Sequence, residues 1–377
     1  MPNGYLLLNL INKFSIMNKF FLIVFISISI NCSFLFAQNE IDEAVQSSLK
    51  IYDSVPEEQK KKKKLLPVAF PLTDPAIGYG LTGGLLYFFP KDEKTNKSDV
   101  AGLAGAFTSN GTWFSGAGYA GYWKQDRLRY TGFIGYGKVN LDYYGFGGDP
   151  IQFSQQAFVF LQQFMFRISE SNYFVGGNLR FSKIQINYQN EAVSAEDIDL
   201  WNNGFSIISE YDNLNNSLSP TNGMKIHFGY NQNLEILGGR TNWGKLSFYS
   251  HFYVPVSEKW IPAFRIESNL ATGNPPFYAY PYIKLRGIPA LRYQAELTVL
   301  AETEQLYNIN QRWGIVGFTG MGAAISSVDE TISNEFVWNA GAGVRYVILK
   351  DLGIKVGTDL ARGPEAWAFY VSVGSSW

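Results

Sequence analysis

From about Leu66 to Trp377 the chain repeats one pattern: a run of alternating apolar and polar residues, then a turn. Successive side chains point to opposite faces only in a β-strand, so this period of two fixes the secondary structure. The clearest run is 243–256. Leu246, Phe248, Phe252, Val254 and Val256 share one parity, and Lys245, Ser247, Tyr249, His251 and Tyr253 share the other. The same division recurs three times near the C-terminus. In 337–348, Trp338, Val344, Tyr346 and Ile348 oppose Asn339, Gly341, Gly343 and Arg345. In 352–361, Leu352, Ile354, Val356 and Leu360 oppose Lys355 and Asp359. In 366–377, Trp367, Phe369, Val371, Val373 and Trp377 oppose Ala368, Tyr370, Ser372 and Gly374.

Alternation alone also fits a soluble sandwich or propeller, and here composition matters. Charged residues make up 17% and aromatic residues 16% of the 377 residues, while mean hydropathy is only -0.07. Apolar and polar residues that alternate and average out suit a barrel with a lipid face and a wet lumen. After the N-terminus no stretch approaches the ~18 apolar residues a spanning helix needs. A membrane span must then be a closed barrel, because lipid cannot satisfy an open sheet edge. Trp and Tyr at the strand ends favour the membrane reading over the sandwich. The expected architecture is all-β, a transmembrane antiparallel β-barrel of about 16 strands, even in number, with 14 as the alternative count. The strand cores are expected at 66–72, 76–89, 98–108, 112–123, 127–140, 153–168, 172–187, 201–212, 223–236, 241–256, 259–271, 291–305, 312–325, 335–349, 352–361 and 366–377. Pro67 and Pro71 interrupt the first. The long piece 272–290, rich in Gly, Pro and Tyr, is left as a loop of the length that often carries function.

Residues 1–37 read as a signal peptide. Lys19 supplies a positive region, Phe20 to Ile30 an apolar one, and Leu35-Phe36-Ala37 a small residue before Gln38. Met17 is a plausible start. Residues 38–65 form a polar periplasmic lead ending in Lys60 to Lys64, a solvated tether that could touch anionic head groups. The barrel is expected over 66–377. The only cysteine, Cys32, falls in the segment expected to be removed, which excludes disulfides and thiolate chemistry in the mature chain. A net charge of -1 gives no basic footprint for nucleic acid.

Region 201–377 resembles the barrel of the BamA/TamA superfamily, also called the bacterial surface antigen family. Tyr211-Asp212 followed by Ser219-Pro220-Thr221-Asn222-Gly223 is similar to its strand–turn–strand signature. Leu285-Arg286-Gly287-Ile288-Pro289 resembles the Arg-Gly motif of its long loop. Phe318-Thr319-Gly320-Met321-Gly322 and Gly341-Ala342-Gly343-Val344-Arg345-Tyr346 resemble the glycine-rich strands that follow. The last strand, with Phe369 and Trp377, resembles the C-terminal assembly signal. Tyr144-Gly145-Phe146-Gly147 adds an upstream piece. Two positions depart: Leu214 stands where the family carries an Arg, and the Phe318 strand lacks an acidic residue. The lead 38–65 is too short for the family's periplasmic POTRA domains, so a direct BamA-like role is not expected.

The resemblance implies a bacterial outer-membrane location. It also implies a role in inserting or translocating protein or lipid, with a plugged or structural barrel lacking a client as the alternative. The implied partners are outer-membrane lipid and lipopolysaccharide, the barrel assembly machinery, and an unfolded or lipid client. It further implies that Arg286 and Gly287 ride on a loop folded into the lumen. An unpaired charge there would be costly, so Arg286 is expected to pair with one of the acids that parity turns inward: Glu296, Glu302, Glu304 or Asp359. Pro220 and Gly223, after Asp212, are expected to fix a tight periplasmic turn. Neither catalysis nor a cofactor is expected. His227 and His251 are lumenal by parity on neighbouring strands, but Ser250 has the wrong parity and Ser247 is four residues from His251. Without a nearby carboxylate the two histidines also make a poor metal site.

Overall fold

The computed structural model describes residues 65–74, 76–89, 99–143, 151–188, 198–215, 219–239, 241–328, 331–349, 354–373, 375 and 377. The expected signal peptide, the lead to residue 64 and Tyr144 to Gly147 lie outside them.

The described chain is a single sheet of strands: β1 (Leu65–Asp74), β2 (Gly78–Phe88), β3 (Val100–Thr108), β4 (Trp113–Trp123), β5 (Leu128–Tyr143), β6 (Ile151–Arg167), β7 (Tyr173–Tyr188), β8 (Ile198–Trp201), β9 (Gly204–Asp212), β10 (Gly223–Asn233), β11 (Trp243–Tyr253), β12 (Trp260–Gly273), β13 (Leu297–Asn308), β14 (Trp313–Val328), β15 (Thr331–Leu349), β16 (Ile354–Arg362) and β17 (Trp367–Val373). Strands β8 and β9 both pair with β7 and share one position in the wall, so the barrel has 16 positions from 17 strands. The break between them is made by Asn202 and Asn203. The Asn203 side chain accepts from Ser182 N at 3.0 Å, in place of a ladder carbonyl, and Ser182 Oγ donates to Asn202 O at 2.6 Å. Otherwise each strand pairs antiparallel with the next, from β1 to β17. No described helix is long and apolar enough to cross a membrane.

The register sorts the side chains as the alternation requires. Phe160, Phe164, Phe166, Ile266, Ile315, Trp338 and Phe369 are exposed on the outer face. Outward rings gather near the strand ends: Trp123 stacks on Tyr130 at 5.1 Å, and Trp313 lies 4.8 Å from Tyr346. This matches the aromatic girdles that meet the two lipid interfaces.

Several expectations are corrected. The lumen is not uniformly wet. Inward Phe114, Phe133, Leu161, Ile184 and Ile186 pack with Tyr278, Tyr282 and Leu291 of the β12–β13 loop into one buried apolar cluster. Strand β13 begins at Leu297 rather than 291, because the loop still occupies residues 291–296. Strand β11 ends at Tyr253, so Val254 and Val256 lie beyond it, exposed. Strand β17 ends at Val373, and Trp377 does not face outward. Its ring lies 5.5 Å from inward His251 and 5.8 Å from Tyr253, whose hydroxyl donates to Trp377 O at 3.2 Å. Burying that large ring against two inward rings outweighs continued alternation. The interrupted first strand is continuous instead: β1 pairs with β2 from Leu65 to Asp74, through both prolines.

An even number of positions puts the first and last strands antiparallel and side by side. Strands β1 and β17 do lie against one another. Among the described residues no ladder joins them, so the barrel is closed everywhere but at this seam.

Candidate functional site

The site is the loop 274–296 and the wall it meets. From β12 the chain turns inward rather than away from the barrel. Tyr278, Ala279, Tyr282, Ile283, Leu285 and Leu291 are all buried, five of them at 3% exposure or less. A second cluster packs Ile283, Leu285 and Ile288 against Leu300 of β13, Ala324 of β14 and Val337 of β15. Small wall residues make the approach possible. A Cβ at Gly320 would stand 3.0 Å from Leu285 Cδ2, and one at Gly322 3.0 Å from Ile283 Cδ1.

Arg286 sits at the centre. Its Nη1 donates to Glu304 Oε2 at 2.8 Å and to Asp359 Oδ2 at 2.9 Å, while Nη2 and Nε reach Glu302 Oε1 at 3.1 and 3.3 Å. The guanidinium carbon lies 3.4 Å from the centroid of the Phe318 ring. Asn339 donates to the Arg286 carbonyl at 3.0 Å. Two further arginines complete the charge pattern. Arg345 holds Asp359 by a double contact and lies 3.6 Å from Glu304; Arg265 lies 3.2 Å from Glu302. Three guanidinium groups thus meet three carboxylates, with Glu302 and Asp359 side chains only 1% exposed. Charge-assisted forks of this kind are the strong hydrogen bonds of protein interiors. Their geometry matters here, because buried charges repay their desolvation only when every partner is in place.

The glycine-rich strands make room for this cluster. A Cβ at Gly341 would lie 2.2 Å from Phe318 Cζ, and one at Gly357 2.6 Å from Arg345 Nη1. Gly287 follows Arg286 at φ 87°, a backbone region that suits glycine. Its N–H donates to the Tyr370 hydroxyl of β17 at 2.8 Å, and a Cβ on it would meet Gly363 N at 2.8 Å. Beyond it, Arg292 Nε and the Tyr293 hydroxyl donate to Glu365 at 2.7 and 2.8 Å. The loop therefore grips the β16–β17 turn as well as the wall.

The structure brings Arg286 together with three of the four acids singled out by parity: Glu302, Glu304 and Asp359. Glu296 is not among them, because it precedes β13 and its carbonyl accepts from Ala271 N at 2.7 Å. The acid absent from the Phe318 strand is supplied from β13 and β16, and Phe318 itself offers the ring face. Nothing in the sequence marks Phe318, Arg265 and Tyr370 as partners. Parity placed Arg345 and Tyr370 inward, but nothing in one dimension says which inward groups the loop reaches.

The apex of the turn expected between Asp212 and Gly223 takes in residues 216–218, which lie outside the described residues. Asparagines organise the described part of the connection. Asn213 Oδ1 accepts from Met224 N at 2.7 Å, and Asn215 Oδ1 accepts from Thr221 N and Asn222 N at 3.0 and 3.1 Å. Asp212 Oδ1 accepts from Leu214 N at 3.2 Å, and Gly223 has φ 103°. The histidines face inward on neighbouring strands, but His227 does have a carboxylate near it. Its Nδ1 is 3.5 Å from Glu210 Oε2, and its ring stacks on Tyr249 at 4.6 Å. Among the described residues no group of three metal-ligating side chains occurs.

The described residues form a 16-position barrel with a long loop buried in its lumen and a seam that no ladder joins, and the comparisons match this fold. Residues 105–282 match the Omp85 superfamily domain, and the fold is similar to that of outer-membrane barrels. That match takes in Asp212, Pro220 and Gly223 and stops just short of Arg286. BamA from Haemophilus ducreyi, in a form lacking POTRA domains 1-3, is similar in fold at 14% identity and a TM-score of 0.60, over 83% of this chain and 70% of that one. CdiB from Escherichia coli matches at 10% identity and a TM-score of 0.59, over 83% of this chain and 63% of that one. CdiB from Acinetobacter baumannii matches at 11% and 0.58, over 82% and 60%. No curated protein matches the sequence.

Proposed function

We propose that this barrel assists the insertion or translocation of a protein or lipid client at the outer membrane, with the loop 274–296 as its plug and Arg286 as the latch. The observation that carries the reading is the pairing of an inserted loop with an unladdered seam. Arg286 and Gly287 contact groups on β13, β16 and β17, and β17 is one lip of the seam. A client that moved the loop would release the strand beside the opening. In this reading residues 1–37 direct export, 38–65 lie in the periplasm, the assembly machinery inserts the barrel, and lipopolysaccharide borders it. The chain's own residues perform no catalysis.

The test is a planar-bilayer recording of the refolded mature chain beside Arg286→Ala, with cysteine pairs scanned along 66–72 and 367–373. The proposal expects a closed or flickering wild type, a stable open pore in the variant, and seam disulfides that form only when the lips meet and that block client handling. A second reading, a plugged barrel with no client, is favoured by the apolar packing of the lumen. It expects seam disulfides that form fully and change nothing.

A further inference from the structure

Away from the latch, the lumen holds a buried cation of a different kind. Arg180 on β7 points inward and is 5% exposed. In the register, Arg180 faces Gly204 of β9, and Gly204 faces Asn233 of β10. Without a side chain at Gly204, the guanidinium reaches across β9. Its Nη2 donates to Asn233 Oδ1 at 2.6 Å and to Asn231 Oδ1 at 3.3 Å. The two asparagines are set for this: Asn233 Nδ2 donates to Asn231 Oδ1 at 2.9 Å, and Asn231 Nδ2 donates to Ser206 Oγ at 2.8 Å.

What is missing is negative charge. Among the described residues, the other buried arginine, Arg345, is clasped by Asp359. Both groups that Arg180 bonds are neutral amides, and its Nε has no hydrogen-bond partner although it is buried. The inward residues around it in register, Asn178, Ser206, Asn231, Asn233 and Lys245, carry no acid. The loop's Tyr278 lies close by, within the apolar cluster that fills this part of the barrel. A full charge enclosed this way without a counter-charge is strongly disfavoured, and proteins answer it by pairing.

We propose that Arg180 binds a small anion inside the barrel, of chloride or single-phosphate size, with the Nε–H as donor and Asn231 and Asn233 holding the guanidinium in place. The bound ion supplies the missing counter-charge beneath the inserted loop. It is independent of whether the barrel handles a client.

The experiment follows thermal unfolding of the purified full-length barrel in detergent by near-UV circular dichroism. Sodium chloride, sodium phosphate and sodium gluconate are compared at equal ionic strength, since a ligand that binds only the folded state raises the melting temperature. Wild type should melt higher in chloride or phosphate than in gluconate; a response to chloride alone assigns a halide site, and a response to both an oxyanion-sized one. Arg180→Met should lose the dependence. Asn233→Asp, which puts a carboxylate beside Nη2, should also lose it and melt higher than wild type in gluconate. Equal melting of wild type in all three salts, an undiminished shift in Arg180→Met, or a lower gluconate melting point for Asn233→Asp than for wild type would each overturn the site.

Discussion

The guanidinium carbon of Arg286 stands 3.4 Å from the centre of the Phe318 ring, with carboxylates from β13 and β16 around its edge. The ring takes the flat face and the acids take the N–H groups, so the one side chain is held in every direction. Arg286→Ala would leave Glu302, Glu304 and Asp359 facing only Arg265 and Arg345. Removing one partner of a buried charged set costs about 3–5 kcal/mol. The loop should leave the lumen, read as a rise in bilayer conductance. Arg286→Lys keeps the charge but loses the fork, so an intermediate conductance is expected. Phe318→Leu removes only the ring face, worth about 0.5–2 kcal/mol, and should raise the frequency of brief openings without a stable open state.

Gly287 tests the hold on β17. Any side chain there meets Gly363 N at 2.8 Å and must adopt φ 87°. Gly287→Ala should cost about 1–3 kcal/mol through this strain and expose the loop to limited proteolysis within 274–296. Unchanged cleavage would mean that the contact with Gly363 does not hold the loop.

Most of the fold was legible in one dimension because the barrel's two faces meet different solvents. Alternation then survives in the sequence, and Lys245, Asn339, Arg345 and Asp359 take the inward side it assigned. Parity fails where a strand ends. Glu296 follows the pattern of β13 but belongs to the loop, and Trp377 follows that of β17 but turns into the lumen. Nothing local marks those points, because they are set by what lies across the barrel. Arg286 could be named from the resemblance its motif carries, and three acids from residue type and face. The ring of Phe318 beneath Arg286 could not, since that contact joins a loop to a strand it does not precede.

The two aromatic residues of the proposed assembly signal should separate in their effects. Phe369 is exposed on the outer face, while the Trp377 ring packs on His251 and Tyr253. Phe369→Ala should slow insertion in cells and leave the melting temperature of the refolded barrel unchanged. Trp377→Ala should lower both, since truncating a packed Trp costs up to about 3–5 kcal/mol. Equal melting temperatures for the two variants would place the Trp377 ring outside the folded core.

The seam gives the last prediction. Pro67 and Pro71 share a parity, so their two missing N–H groups fall on the same edge of β1. Strand β2 forms an unbroken ladder along the other requirement of the strand, from Leu65 to Asp74, and a proline in a sheet turns its nitrogen away from the paired neighbour. The donor-poor edge is then the one that faces β17. Replacing both prolines with valine would restore two donors at the seam, where β17 has carbonyls to meet them, and should let a ladder form between first and last strands. The Pro67→Val/Pro71→Val barrel is expected to melt higher than wild type and to show slowed amide exchange in 367–373. If the seam is the working part of the molecule, the same variant loses client handling while keeping its fold. A variant that melts lower would show that the prolines face β2, and the weakness of the seam would need another cause.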